Sequence, residues 1–236
     1  MSFFDVGCYL MAKSYLICDV IHFHKTSHQI PIQQEIFKTE GNPETSLNII
    51  DHNYHKTFDR YSCHHDYKHN KFGKVYNQTF SYYFEPVNFY MYYDKDQRLA
   101  LIGTKTDVAI DFIKKLSENG YHELHPVEIN LALMYPLIME IRGVWISNLN
   151  QTYLKTAGFF GPNVNKSEEF KQASEIGDVS SLRLVYVHPE SGGELDVGIS
   201  KKGSVTLYNT FDRVEDEIDV VLDIYNKLIK PAHHRG

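Results

Sequence analysis

Twice along this chain, two strand-like runs joined by a tight turn lead directly into an amphipathic helical stretch. The first copy has runs at 88–93 and 98–102 around the turn 94–97, then a helix over 106–118. The second has runs at 194–200 and 204–208 around 201–203, then a helix over 212–230. β-Branched and aromatic residues dominate the runs, and such side chains suit a pleated, half-buried surface. A hairpin followed by a helix can bury the apolar faces of both against each other, so this pattern constrains the fold more than any other feature.

The helices carry further signals. In the first, Ile110, Ile113 and Leu116 fall near one face. Thr106 and Asp107 read as an N-cap with a favourable early charge, and Asn119-Gly120 as a stop. In the second, Val214, Ile218, Val221, Leu222, Tyr225 and Leu228 make an apolar stripe behind an acidic start. A further strand precedes each hairpin, at 79–84 and 182–187, with Pro86 and residues 188–193 as turns. Early strands at 14–23 and 138–146 open the halves. The expectation is an α+β protein of two antiparallel sheet–helix units, β-x-β-β-β-α duplicated, over 12–120 and 136–230. The boundary falls in 120–135, near His125-Pro126 and Tyr135-Pro136. This element order resembles the saddle-like fold of TATA-binding proteins, in which two such halves make one curved sheet; the resemblance implies one continuous curved sheet here and says nothing of function.

Bulk composition narrows the class. The chain has 236 residues, 42% hydrophobic and 23% charged, which supports a buried core and excludes general disorder. Its net charge of −6 argues against a protein that coats nucleic acid at large. Three widely spaced cysteines, Cys8, Cys18 and Cys63, make no disulfide framework and point to a reducing, cytoplasmic location. The start lacks a basic head and a cleavage site, Met11 is a second candidate initiator, and no apolar run is long enough for a membrane span. Without a secretory signal, the sequons at Asn77 and Asn150 read as chance. Abundant Tyr, His, Asn, Lys and Ile suggest an A/T-rich genome and weaken any inference from histidine number alone.

The polar stretch 25–73 reads as an insertion with a loop at 41–43 and a short helix over 46–54 capped by Ser46. It holds the densest chemistry. His52, His55, His64, His65, Asp66 and His69 are candidate ligands for zinc or manganese, with His52/His55 and His65/His69 each sharing a helix face. The spacing fits no zinc finger and no H-E-x-x-H, so a solvated His/Lys/Tyr loop is the preferred reading. Lys56, Arg60, Lys68, Lys71 and Lys74 interleave with Tyr54, Phe58, Tyr61, Tyr67 and Phe72, the cations and rings that single-strand binding uses. Asp51, Asp59 and Asp66 dilute that charge.

Other motifs are weaker. His24-Lys-Thr26 and His55-Lys-Thr57 match the tripeptide of two-histidine phosphoesterases, but lie close together in a stretch read as partly helical. Cys63 beside His64 and His65 reads as a buried, idle thiol rather than a nucleophile. The acidic residues 215–219 offer a docking face for a basic partner or a solvated helix face. The tail 231–236 reads as frayed. The expected function is a non-enzymatic interaction protein, in the style of a phage or mobile-element product that binds a host or defence protein. A metal-dependent hydrolase or nuclease built on 51–69, and a nucleic-acid binder, are the alternatives.

Overall fold

A computed structural model describes residues 12–24, 28–31, 43–118, 120–151, 153–188 and 191–233. They divide into two compact units, Tyr15–Pro126 and a second made of 12–14 with 127–233. Both are antiparallel sheets with helices, and no helix among the described residues is long and apolar enough to cross a membrane.

The 15–126 unit contains β1 (Lys13–Phe23) from Tyr15 onward, β2 (His28–Pro31), β3 (Glu44–His55), β4 (Phe58–His69), β5 (Gly73–Val75), β6 (Gln78–Phe80), β7 (Tyr83–Asp94), β8 (Leu99–Gly103), α1 (Thr106–Ser117) and β9 (His122–Pro126). β9 pairs with β1, and the sheet continues β1-β8-β7-β4-β3-β2. Alternate residues point to one face and build its core: Leu16, Cys18 and Val20 on β1, Tyr61 and Cys63 on β4, Phe89, Met91 and Tyr93 on β7, Ala100 and Ile102 on β8. α1 covers them with Val108, Ala109, Phe112, Ile113 and Leu116. Gly120 follows it at φ +72, a left-handed position that costs glycine little. The residue before α1 is Lys105, with no side-chain cap, so Thr106 and Asp107 lie inside the first turn instead of capping it.

The stretch read as polar insertion is largely sheet. Residues 46–54, expected to be helical, lie in β3 and pair with β4 from Thr45↔His65 to His55↔Phe58. Leu47 and Ile49 alternate inward, which a strand permits and which Ile50, nearly half exposed, does not share. The loop expected at 41–43 lies mostly outside the described residues. Pro86, read as a turn, sits within β7 opposite Asp66. β8 reaches β7 only from Tyr90 onward, so among the described residues no strand pairs with Pro86 on that side and its missing N–H breaks no ladder bond there. The run 79–84 is accordingly divided between β6 and β7. The turn after β7 is where the sequence placed it: Asp94 accepts the backbone N–H of Asp96 and Gln97 at 2.8 and 3.1 Å, and the Thr57 hydroxyl at 2.6 Å.

The 127–233 unit contains a 3₁₀ turn (Leu131–Leu137), β10 (Glu140–Ser147), β11 (Ala157–Phe160), α2 (Glu168–Ile176), β12 (Asp178–Val187), β13 (Glu194–Ser200), β14 (Ser204–Leu207) and α3 (Val214–Ile224). Its sheet runs β11-β10-β12-β13-β14. Leu182↔Ile199 and Leu184↔Val197 are opposed, buried cross-strand pairs. α3 is tied to β12 by the Tyr186 hydroxyl, which donates to Asp223. It widens into a π turn over Tyr225–Ile229 just before Pro231, which has no N–H to continue the ladder.

Early strands open the two units in different ways. β1 pairs with the last strand before its helix, β8, whereas β10 pairs with β12, the first strand of its meander. A duplication drawn by matching 14–23 to 138–146 therefore finds no support. Sequence reading also missed α2, whose Ser167 hydroxyl accepts the Phe170 N–H at 3.2 Å ahead of an acidic first turn.

Candidate functional site

β4 and β7 pair along twelve residues, from Phe58↔Asp94 to His69↔Tyr83, and the chain between them continues outward as a two-stranded ribbon. β5 and β6 pair Gly73↔Phe80, Lys74↔Thr79 and Val75↔Gln78 around Tyr76-Asn77. The Phe80 ring lies directly on Gly73, where a β-carbon would meet Phe80 Cζ at 2.3 Å. A β-carbon there would have to displace the ring, which packs over the glycine across the ribbon. At the base, His69 stacks on Tyr83 at 4.8 Å and its Nε2 donates to the Glu85 carboxylate at 2.6 Å.

What the ribbon presents to solvent is unlike the sheet below it. Phe72 is 82% exposed and Tyr76 95%, and neither contacts another ring among the described residues. Tyr76 has φ +52, the left-handed region that bulky side chains avoid. Lys71 and Lys74 are exposed with no ion-pair partner among the described residues. Lys68 lies over the Tyr82 ring at 4.2 Å. From Tyr67 to Phe84 the sequence has no Asp or Glu.

Of the basic candidates, Lys68, Lys71 and Lys74 belong to this ribbon or its base. Lys56 lies at the β3–β4 turn, at the other end of β4, in the left-handed region. Arg60 lies on the sheet face opposite α1, stacked on Tyr54 at 4.0 Å and donating to Asp51 at 2.8 Å. Its charge is therefore engaged: burial pulls the guanidinium pKa down, and the Asp51 hydrogen bond and charge, with smaller help from Tyr54 and Tyr92, outweigh it and hold it up. The five cations do not form one patch along a single face.

Of the metal candidates, the structure brings His64 and Asp66 together. The pairings of His52 with His55 and of His65 with His69 rest on a helix; these residues lie on strands, so that basis for convergence is gone. His52 lies 3.4 Å from Asp59, and His64 is 2.9 Å from the Asn88 side-chain oxygen and 3.3 Å from Asp66. Asp66 also accepts the Glu44 N–H at 2.8 Å. His55 sits at the β3–β4 turn opposite Phe58. Among the described residues, no three His, Cys, Asp or Glu side chains come together as a group able to hold a metal ion.

His65 has a different place. It is 1% exposed, with Nδ1 2.8 Å from the Thr45 hydroxyl and Nε2 3.1 Å from Asp111 on α1. Hydroxyl, imidazole and carboxylate are the parts of a nucleophile relay. Thr45, however, is 0% exposed, so no substrate can reach the hydroxyl. What the chain of bonds does is fasten α1 to β3 and β4. The His65 hydrogen bond, helped by its charge and those of Lys114 and Lys115 against a smaller cost of burial, holds the Asp111 carboxyl below its ordinary pKa.

The remaining motifs take structural places. Cys18 and Cys63 are buried, and burial pushes both thiols far above their ordinary range, so neither is a ready nucleophile. Thr57 of the second His-x-Thr bonds Asp94, in a turn and not a helix; in the first, Lys25 and Thr26 lie outside the described residues, as do Cys8, Met11, Asn119 and residues 234–236. Within the acidic run 215–219, Glu217 is not open to a partner: it is 1% exposed and pairs with Lys13, while Glu215, Asp216 and Asp219 are half-buried. A cavity of about 410 Å³ opens beside Tyr135, Phe170, Asp178 and Lys201. Its two charged groups lie 3.9 Å apart and offset each other, leaving no free polar group aimed at a ligand by them. No protein-family model matches the chain, and comparison with curated proteins finds no match.

Proposed function

We propose that this chain is a non-enzymatic binding protein and that the ribbon of residues 70–82 is its contact element. One observation carries the reading: Tyr76 stands at the ribbon tip 95% exposed, with its backbone in the left-handed region. A bulky residue there costs about 1–2 kcal/mol. Among the described residues no ring or hydrogen-bonding group meets Tyr76 to offset that cost, and backbone strain of this kind clusters where a chain meets its ligand. Phe72 adds a second large ring held in water. Exposed rings bury large areas on docking at little entropic cost, which is why Tyr and Phe suit contact surfaces.

Affinity capture from the cells in which the protein works tests this. A tagged wild-type chain retains its partners, whereas Phe72→Ser with Tyr76→Ser loses them while melting within about 3 °C of wild type. Retention of the same partners by the double variant, or a collapse of its melting temperature, overturns the proposal, since the rings would then be either idle or part of the fold.

A further inference from the structure

We infer that the ribbon binds single-stranded nucleic acid, an inference that rests on the ribbon being the contact element and names its ligand. Charge is the first argument. Lys68, Lys71 and Lys74 occur within eighteen residues that contain no carboxylate, on a chain whose net charge is −6. A polyanion is drawn to this element and repelled by the rest of the chain, which fixes where it binds. Lys71 and Lys74 have no internal counter-ion to displace among the described residues.

The second argument is the chemistry between the lysines. Phe72 and Tyr76 present open ring faces, and a base stacks on an aromatic ring only when it is free of its own partner strand. Asn77 and Gln78 are exposed at the tip, with amides able to donate to and accept from base edges. Those same amides speak against an anionic membrane, because insertion of the tip would take them out of water with no partner. An acidic protein surface would satisfy the lysines, but it offers no regular alternation of anion and flat ring to match theirs. Phosphates for the cations and unpaired bases for the rings account for both sets of groups.

The test uses the full chain and a fluorescein-labelled oligothymidylate of about 20 nucleotides, followed by anisotropy. Binding is expected at roughly 50 mM salt, with log K falling against log salt at a slope of about −2, as three single-strand phosphate contacts require. Lys71→Ala with Lys74→Ala reduces that slope to about −0.7. Phe72→Ala and Tyr76→Ala each weaken binding roughly tenfold, Tyr76→Phe restores it, and circular dichroism melting is unchanged throughout. Tyr76→Gly separates strain from function: it relieves the tip backbone, does not lower the melting temperature, and binds as weakly as Tyr76→Ala.

No anisotropy change at low salt overturns the inference, as does tighter binding to the matching duplex or to phosphatidylserine vesicles, or binding indifferent to both rings. If the oligonucleotide fails while cellular partners still depend on Phe72 and Tyr76, the nucleic-acid inference falls and the binding reading stands.

Discussion

Two buried side chains in the 15–126 unit show how differently polar groups can be accommodated. His65 has a partner on each ring nitrogen, whereas the Tyr61 hydroxyl is buried with no hydrogen-bond partner among the described residues. Removing the first should cost stability and removing the second should not. His65→Ala leaves a cavity and an unanswered Thr45 hydroxyl, and is expected to destabilise the protein by about 3 kcal/mol in urea unfolding. Tyr61→Phe keeps the ring in the core, removes an unbonded hydroxyl, and is expected to be neutral or stabilising by up to about 1 kcal/mol in the same assay. Asp111 adds a pH signature. Its folded pKa lies below the unfolded value, so its contribution is present above the ordinary carboxylate range and is lost as pH falls through the folded pKa. The stability gap between wild type and Asp111→Asn is therefore expected to be largest near neutrality and to close as pH falls below about 4, and to stay under about 1 kcal/mol because the carboxylate is 45% exposed. A gap that widens in acid would mean Asp111 is not the group held by His65. None of these assignments was visible in the sequence, where His65 was one of five histidines in a crowded segment.

Among the elements, the ribbon is the least secured. A two-stranded hairpin is marginal by itself, and in this one the Phe80 ring packs on Gly73, a contact expected to hold its register. Gly73→Val is expected to move global stability by less than about 0.5 kcal/mol, since few apolar groups are buried there. It should nonetheless abolish amide-exchange protection across Gly73–Phe80 and weaken any binding by the ribbon; unchanged protection would show that Phe80 does not set the register. Elements with strong local signals were legible: α1, α3 and the hairpins β7–β8 and β13–β14 stand where alternation and helical spacing put them. β3 was not, because Leu47 and Ile50 also fit a helical period over a short run. Pairing with β4 decided it, turning Thr45, Leu47 and Ile49 inward beside Tyr61 and Cys63. Pro86 misled for a related reason: a proline is tolerated in a strand whose neighbour ends early, and no local sequence tells where β8 stops.

For the molecule as a whole, the buried thiols offer a measure of global opening. Cys18 and Cys63 sit in the core and their thiols are held protonated by burial. Both are expected to resist iodoacetamide at about pH 8 in native protein and to react only at the rate of unfolding, read by mass spectrometry of the peptides that carry them. Prompt alkylation of either would show that the core opens locally. Charge is likewise a property of the whole chain that matters through its distribution, since an acidic molecule carries one run, from Tyr67 to Phe84, with no carboxylate. By itself the sequence determined the α+β class, the two hairpin–helix stretches and that basic, ring-rich run, because each depends on residues near one another in the chain. Only the tertiary structure decided that the histidines lie along two paired strands with no metal-holding group among the described residues, that Thr45 and Asp111 meet on His65, and that Phe72 and Tyr76 stand in water. Those outcomes follow from which strands pair and where their neighbours end, and residues distant along the chain settle both.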